Sequence, residues 1–311
     1  MTITLRMEPK TAPMTWLEFC QYSSLFSIAL DGFVNEGPRY DPVAPRINFN
    51  HHEEVERLAT RATCAQVLIA IRLGLFKRFR GDNGPHAHVF ANDCDEDVCV
   101  SWFLLSHLSV VQPASNPVLN RLVGLVDAMD STAGAYPFHP DLPGLETLNW
   151  IFQPYRNFRM NGGLDRRKTE EFEGIVTDVS CRLMEEVAGR GHKLSLDTRY
   201  TKMGGGVGWT MIREDGENGR VGAFSDGVNA YVIARERSDG RMAYTVGRTS
   251  QFIPFDVPKI LVALNTEENN TNERWGGGNT IGGSPRIAGS RLCPNKVEKI
   301  INEMIKKGES K

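Results

Sequence analysis

The stretch that runs from Asn48 through Asn50-His51-His52-Glu53-Glu54 and on to Ile71 constrains this chain more than any other. A short strand at 46–49 delivers two adjacent imidazoles to the start of a helix. Val55, Leu58, Ala59, Ala62, Gln66 and Ile69 mark one face of that helix, and Gly74 is its stop. Glu53 and Glu54 fall in its first turn, where the helix dipole favours negative charge. Adjacent side chains alternate across a strand and diverge by about 100° on a helix. At a junction between the two, one ring can bind a metal while its neighbour faces a substrate. An isolated His-His pair is more often an ordinary polar helix start, so its company decides.

Two other apolar runs end in the same way. Residues 26–30 stop at Asp31-Gly32, as a buried strand delivering a carboxylate would. Residues 88–91 lead into Asn92-Asp93-Cys94-Asp95-Glu96-Asp97, which is pinned between apolar flanks. Acidic runs are usually solvated loops. Between buried elements these groups need a compensating positive charge, and carboxylate oxygens are preferred by Mg²⁺ and Mn²⁺. Asp95 and Asp97 are therefore candidate ligands. On the helix expected at 119–129 and just past it, Asp127 and Asp130 share one face at i and i+3, although Asp130-Ser131-Thr132 also reads as a turn. In open α/β sheets, ligands bind at the carboxyl ends of the strands.

These patterns imply an α/β fold: an N-terminal open, mostly parallel sheet flanked by helices, and a second, smaller α+β domain. At 311 residues the chain has room for both. The expected division is 1–160, a connecting segment at 161–190 and 191–311. Residues 1–20 offer little beyond a short helix at 16–22, 137–165 read as loop-rich, and a helix is expected at 172–187. Beyond His192, Asp-Gly and glycine pairs punctuate short β-like runs, including 229–234 and 242–246, as in a mostly antiparallel sheet. Helical character resumes at 258–264 and 297–305. The glycine-dense loop from Gly276 to Arg286 lies between them and could hold a phosphate or carboxylate on its backbone N–H groups.

A formal net charge of -2 supplies no global field for nucleic acid, and Arg72, Lys77, Arg78 and Arg80 are only a local basic patch. A nucleic-acid partner is not favoured. The six cysteines show no Cys-x-x-Cys spacing and read as reduced thiols. No apolar run is long enough to cross a bilayer and the N-terminus lacks signal-peptide character, so the cytoplasm is the expected location.

Together these pieces resemble the DHH phosphoesterase superfamily. Asn50-His51-His52, followed by a helix with Ala62-Thr63, is similar to its Asp-His-His motif and Ala-Thr helix. Asp95-Glu96-Asp97-Val98-Cys99-Val100-Ser101 fits the Asp-x-Asp-Ala-x-x-Ser signature in the spacing of Asp, Asp and Ser. In the second half, Arg248-Thr249-Ser250, Asp256-Val257 and the Gly276-Gly277-Gly278 triplet resemble the elements of the DHH-associated domain, in order. The chain departs from the family in four ways. Its Asp-x-Asp motif follows the His-His motif, which implies a permuted core. Ala91 stands where a histidine is expected, Asn50 where an aspartate is, and Asn279 where the histidine after the glycines is.

The resemblance implies a metal-dependent phosphoesterase that acts on a small phosphorylated or nucleotide-like substrate in an interdomain cleft. Asp31, His51, Asp95, Asp97 and Asp127 or Asp130 would hold Mn²⁺ or Mg²⁺. His52 and Asp97 would be the catalytic pair, with His52 contacting phosphate. Arg248, Ser250, Gly276, Gly277, Gly278, Asn279 and Arg286 would bind the substrate. The alternative is a non-catalytic nucleotide- or phosphate-binding protein on the same scaffold.

Overall fold

The computed structural model describes residues 2–112, 116–136, 138–237, 239–269, 273–285 and 288–309, without the side chains of 307–309. The chain is a mixed α/β protein with two sheets and forms two units. The first comprises Met1–Ser131 and Pro143–Ser195, the second Thr132–Leu142 and Leu196–Lys311.

The elements of the first unit are β1 (Thr2–Met7), α1 (Trp16–Tyr22), β2 (Ser27–Leu30), β3 (Arg39–Asp41), β4 (Arg46–Phe49), α2 (Thr63–Arg72), α3 (Leu75–Arg78), β5 (Arg80–Gly81), β6 (Gly84–Ala91) and α4 (Glu96–Ser106). After them come α5 (Leu108–Val111), α6 (Pro117–Ser131), α7 (Leu145–Ile151), α8 (Gln153–Met160), α9 (Gly163–Arg166) and α10 (Thr169–Val187). The sheet order is β1-β6-β2-β4-β3, with β5 paired to β6. β1, β6, β2 and β4 are mutually parallel, whereas β3 and β5 run antiparallel to their neighbours. Every residue of β2 is buried, which is why it reads as a continuous apolar run. Leu30 pairs with Phe49, and Ala29 with Phe90. The strands therefore end side by side, and their carboxyl ends release the acidic and histidine segments together. α1 covers the face that bears Ala29 and Phe90 with Phe19, and α4 packs against α2, α6 and α10.

Several expectations need adjustment here. The helix expected from Glu53 begins only at Thr63; before it the chain makes turns and a 3-10 segment at Arg57–Ala59. β1 is a parallel strand that the opening residues did not signal. The loop-rich reading of 137–165 gives way to α7, α8 and α9, and Pro154 sits in the first turn of α8, where its missing N–H costs nothing. α10, read as part of a connection, belongs to the first unit and packs against α4, α7 and α8.

The second unit contains β7 (Tyr200–Gly206), β8 (Trp209–Glu214), α11 (Gly219–Ser225), β9 (Ala230–Glu236), β10 (Met242–Arg248), α12 (Val257–Glu268), β11 (Gly276–Gly277), β12 (Ile281–Gly283) and α13 (Pro294–Glu309). Its sheet, β11-β12-β10-β9-β8-β7, is antiparallel except where β8 and β9 are joined through α11. Trp209, Val232, Tyr244 and Val246 form a core with Ile260 and Leu264 of α12 and Val297 and Ile301 of α13. Buried Glu268 accepts from Ser290 Oγ, the Arg291 N–H and Trp275 Nε1, and so ties the segment after α12 back to the helix.

Among the described residues no helix is long and apolar enough to cross a membrane.

Candidate metal centre

At the end of β2 the chain turns at Asp31, whose φ of +46° is left-handed, a conformation Asp tolerates better than most residues. Its N–H donates to Phe49 O at 2.9 Å, so the exits of β2 and β4 are held together. Asn50 then shapes the second exit. Its Oδ1 accepts the N–H groups of His51 and His52, while Nδ2 donates to Val34 O, Glu36 O and Glu53 Oε2. An aspartate has no donor for those three acceptors, which gives Asn50 a physical reason in this chain.

The His51 ring is fully buried, and its Nε2 lies 2.7 Å from Asp130 Oδ2, 3.4 Å from Asp31 Oδ1 and 3.7 Å from Asp97 Oδ2. Among the described residues, neither His51 nitrogen nor Asp130 Oδ2 has an aligned hydrogen-bond partner. The close approach of Nε2 to Asp130 Oδ2 is an ion-pair contact when the ring is protonated. One ligand atom from each of Asp31, His51, Asp97 and Asp130 falls within 4.8 Å of all the others. Three carboxylate oxygens and one imidazole nitrogen form a donor set that could hold a divalent cation.

The cluster is built from four elements. Asp97 is almost wholly buried in the first turn of α4, and it accepts the N–H groups of Thr63 and Cys64, each at 2.7 Å. It thereby caps the N-terminus of α2. Thr63 Oγ1 donates to Asp31 Oδ1 at 2.9 Å. His52 Nε2 approaches the same Asp31 oxygen at 3.1 Å, and His52 Nδ1 lies 3.2 Å from Arg57 Nη1. Arg57 Nη2 also donates to Asp130 O at 2.9 Å.

Electrostatics show the imbalance of the site. Burial opposes the charge of Asp31, yet the His51 and His52 rings hold its carboxyl far below the usual range. Burial also opposes a charged His51, but Asp130 and Asp31 raise it to about 10. Burial, reinforced by the Asp31 and Asp130 charges, pushes Asp97 well above the ordinary carboxylate value, and burial with Asp31 and Asp93 does the same to Asp95. One imidazolium does not neutralise so many acids; a divalent cation would.

Asp31, His51, Asp97 and Asp130 come together, with His52 at the edge through Asp31. Asp95 and Asp127 are not in the converging set. Asp95 is the N-cap of α4 and accepts from the Val98 N–H, while Asp127 accepts from the Ala62 N–H and faces Arg61. Between Asp127 and Asp130, the cluster takes the second. Both ring nitrogens of His52 are engaged, so a phosphate contact through either requires exchange of a partner. Ser101 of α4 is fully buried and its Oγ lacks a hydrogen-bond partner among the described residues.

In the second unit, Arg248 donates to Asn279 O at 3.0 Å, to Asn279 Oδ1 and to Ile253 O at 2.9 Å. Asn279 and Gly276–Gly278 are exposed, and Ser250 Oγ accepts from the Phe252 N–H. The glycine triplet belongs to the β11–β12 hairpin. A Cβ on Gly277 would lie 2.2 Å from Gly282 Cα, so close strand approach alone requires glycine there. Arg286 lies outside the described residues.

Arg57 is a neighbour of the cluster that the motifs did not single out, whereas Asn50 and Thr63 stood in them without an assigned contact. No family model matches this chain, and neither a curated protein nor a solved structure shows significant similarity to it.

Proposed function

We propose that this chain is a divalent-metal-dependent phosphoesterase acting on a small phosphorylated or nucleotide-like substrate. One observation carries the reading: the Nε2 of a fully buried imidazole faces carboxylate oxygens of Asp130, Asp31 and Asp97, all within 4 Å. Asp31, His51, Asp97 and Asp130 would hold the ion, with Mn²⁺ or Mg²⁺ suited to an oxygen-rich set. When bound, such an ion supplies Lewis-acid stabilisation of phosphoryl oxygens and lowers the pKa of a bound water.

The chain's own residues pre-organise this chemistry. Two α2 amides fix both oxygens of Asp97, while Thr63 and His52 fix Asp31 Oδ1, so little reorganisation is left for the reacting state. Asp95, in this reading, shapes the first turn of α4 and adds negative charge near the ligands.

The test is hydrolysis of a dinucleotide and of p-nitrophenyl phosphate with Mn²⁺. The expected result is activity abolished by chelation and lowered about 100-fold or more in Asp130→Asn. Equal hydrolysis by the two proteins would overturn the assignment. Binding of Mn²⁺ and nucleotide without turnover would instead select the non-catalytic reading, which Ala91, in the place of a family histidine, favours.

A further inference from the structure

We propose that Arg57 is a positioning residue for this cluster: its guanidinium fixes the proton of His52 on Nε2, so that His52 steadies Asp31, and the same guanidinium anchors Asp130. The part concerning metal affinity rests on the metal-binding reading above. The part concerning His52 stands on hydrogen-bond chemistry alone.

Arginine has five donors and no acceptor. Its Nη1, 3.2 Å from His52 Nδ1, therefore requires that Nδ1 present a lone pair. The ring proton then sits on Nε2, which points at Asp31 Oδ1 from 3.1 Å. This assigns the adjacent histidines opposite tasks. His51 Nε2 faces Asp130, Asp31 and Asp97, whereas in this arrangement His52 Nε2 gives its proton to Asp31 Oδ1.

The second guanidinium nitrogen reaches a different element. Arg57 Nη2 donates to Asp130 O at 2.9 Å, in the last turn of α6, where carbonyls lack intrahelical partners. It also lies 3.8 Å from Asp130 Oδ1. One rigid planar group thus braces Asp31 through His52 and Asp130 through its backbone. A lysine, with a single point of charge, does not span both partners.

Two measurements test this. In metal-free wild type, ¹⁵N–¹H correlation of the imidazoles should show His52 as the Nε2–H tautomer, and Arg57→Ala should lose that preference. Mn²⁺ titration followed by electron paramagnetic resonance should show affinity about 10–100-fold weaker in Arg57→Ala, with no recovery in Arg57→Lys. An Nδ1–H or doubly protonated His52 in wild type overturns the proposal, and so does wild-type Mn²⁺ affinity in a folded Arg57→Ala. The tautomer measurement needs no variant, so a misfolded Arg57→Ala does not shield the proposal. Absence of Mn²⁺ uptake by wild type would overturn the metal reading instead, leaving the tautomer to judge Arg57.

Discussion

A buried imidazole that faces three carboxylates behaves differently with and without a cation. Without one, His51 is raised from 6.5 to about 10, so its contribution to stability is complete below 6.5 and is lost as pH rises through about 10. Asp97 is raised above 3.8, so its contribution likewise fades as pH rises; Asp31 is depressed, and its contribution is lost only as pH falls below 3.8. A cation must displace the His51 proton. The Mn²⁺-induced rise in melting temperature is therefore expected to be larger at about pH 8.5 than at about pH 6.5, and scanning fluorimetry reads it. An equal or reversed effect would remove His51 from the ligand set. Asp130→Asn removes the carboxylate that does most to raise His51, so without metal it is expected to melt below wild type at about pH 7, and it should also abolish the Mn²⁺ shift. The sequence made Asp31, His51 and Asp97 legible because each follows an apolar strand. Arg57 was opaque, since its partners are a ring five residues back and a carbonyl 73 residues on.

At the scale of elements, α2 starts where another helix tells it to. Asp97 of α4 accepts the first amides of α2, a tertiary cap that hydrophobic spacing around Val55 and Leu58 cannot reveal. That is why the helix expected at Glu53 begins at Thr63. Asp97→Ala would leave two buried N–H groups unmet, at about 1–3 kcal/mol each, and is expected to destabilise the metal-free protein by roughly 2–6 kcal/mol in urea unfolding. Asp97→Asn keeps one acceptor and should lose about half as much. Wild-type stability in Asp97→Ala would show that α2 is capped otherwise. The glycine triplet teaches the converse lesson: its composition suggested an anion loop, and the close approach of Gly277 and Gly282 gives those glycines a structural cause as well.

For the whole molecule, composition and periodicity indicated a mixed α/β chain, and the chain carries two sheets and forms two units, divided after Ser195. The assignment of Thr132–Leu142 to the second unit was not readable, because nothing in its composition distinguishes it from a loop of the first. All four converging side chains belong to the first unit. Glu268→Ala, which strips Trp275, Ser290 and Arg291 of their acceptor, is accordingly expected to lower stability by about 2 kcal/mol or more while leaving Mn²⁺ affinity unchanged. Lost Mn²⁺ binding in a folded Glu268→Ala would contradict a site confined to the first unit. The most direct measurement is anomalous diffraction from crystals soaked in Mn²⁺. The expected result is a peak bounded by Asp31 Oδ1, His51 Nε2, an Asp97 oxygen and Asp130 Oδ2; no peak there, or one held by Asp93 and Asp95 instead, would contradict the proposed centre.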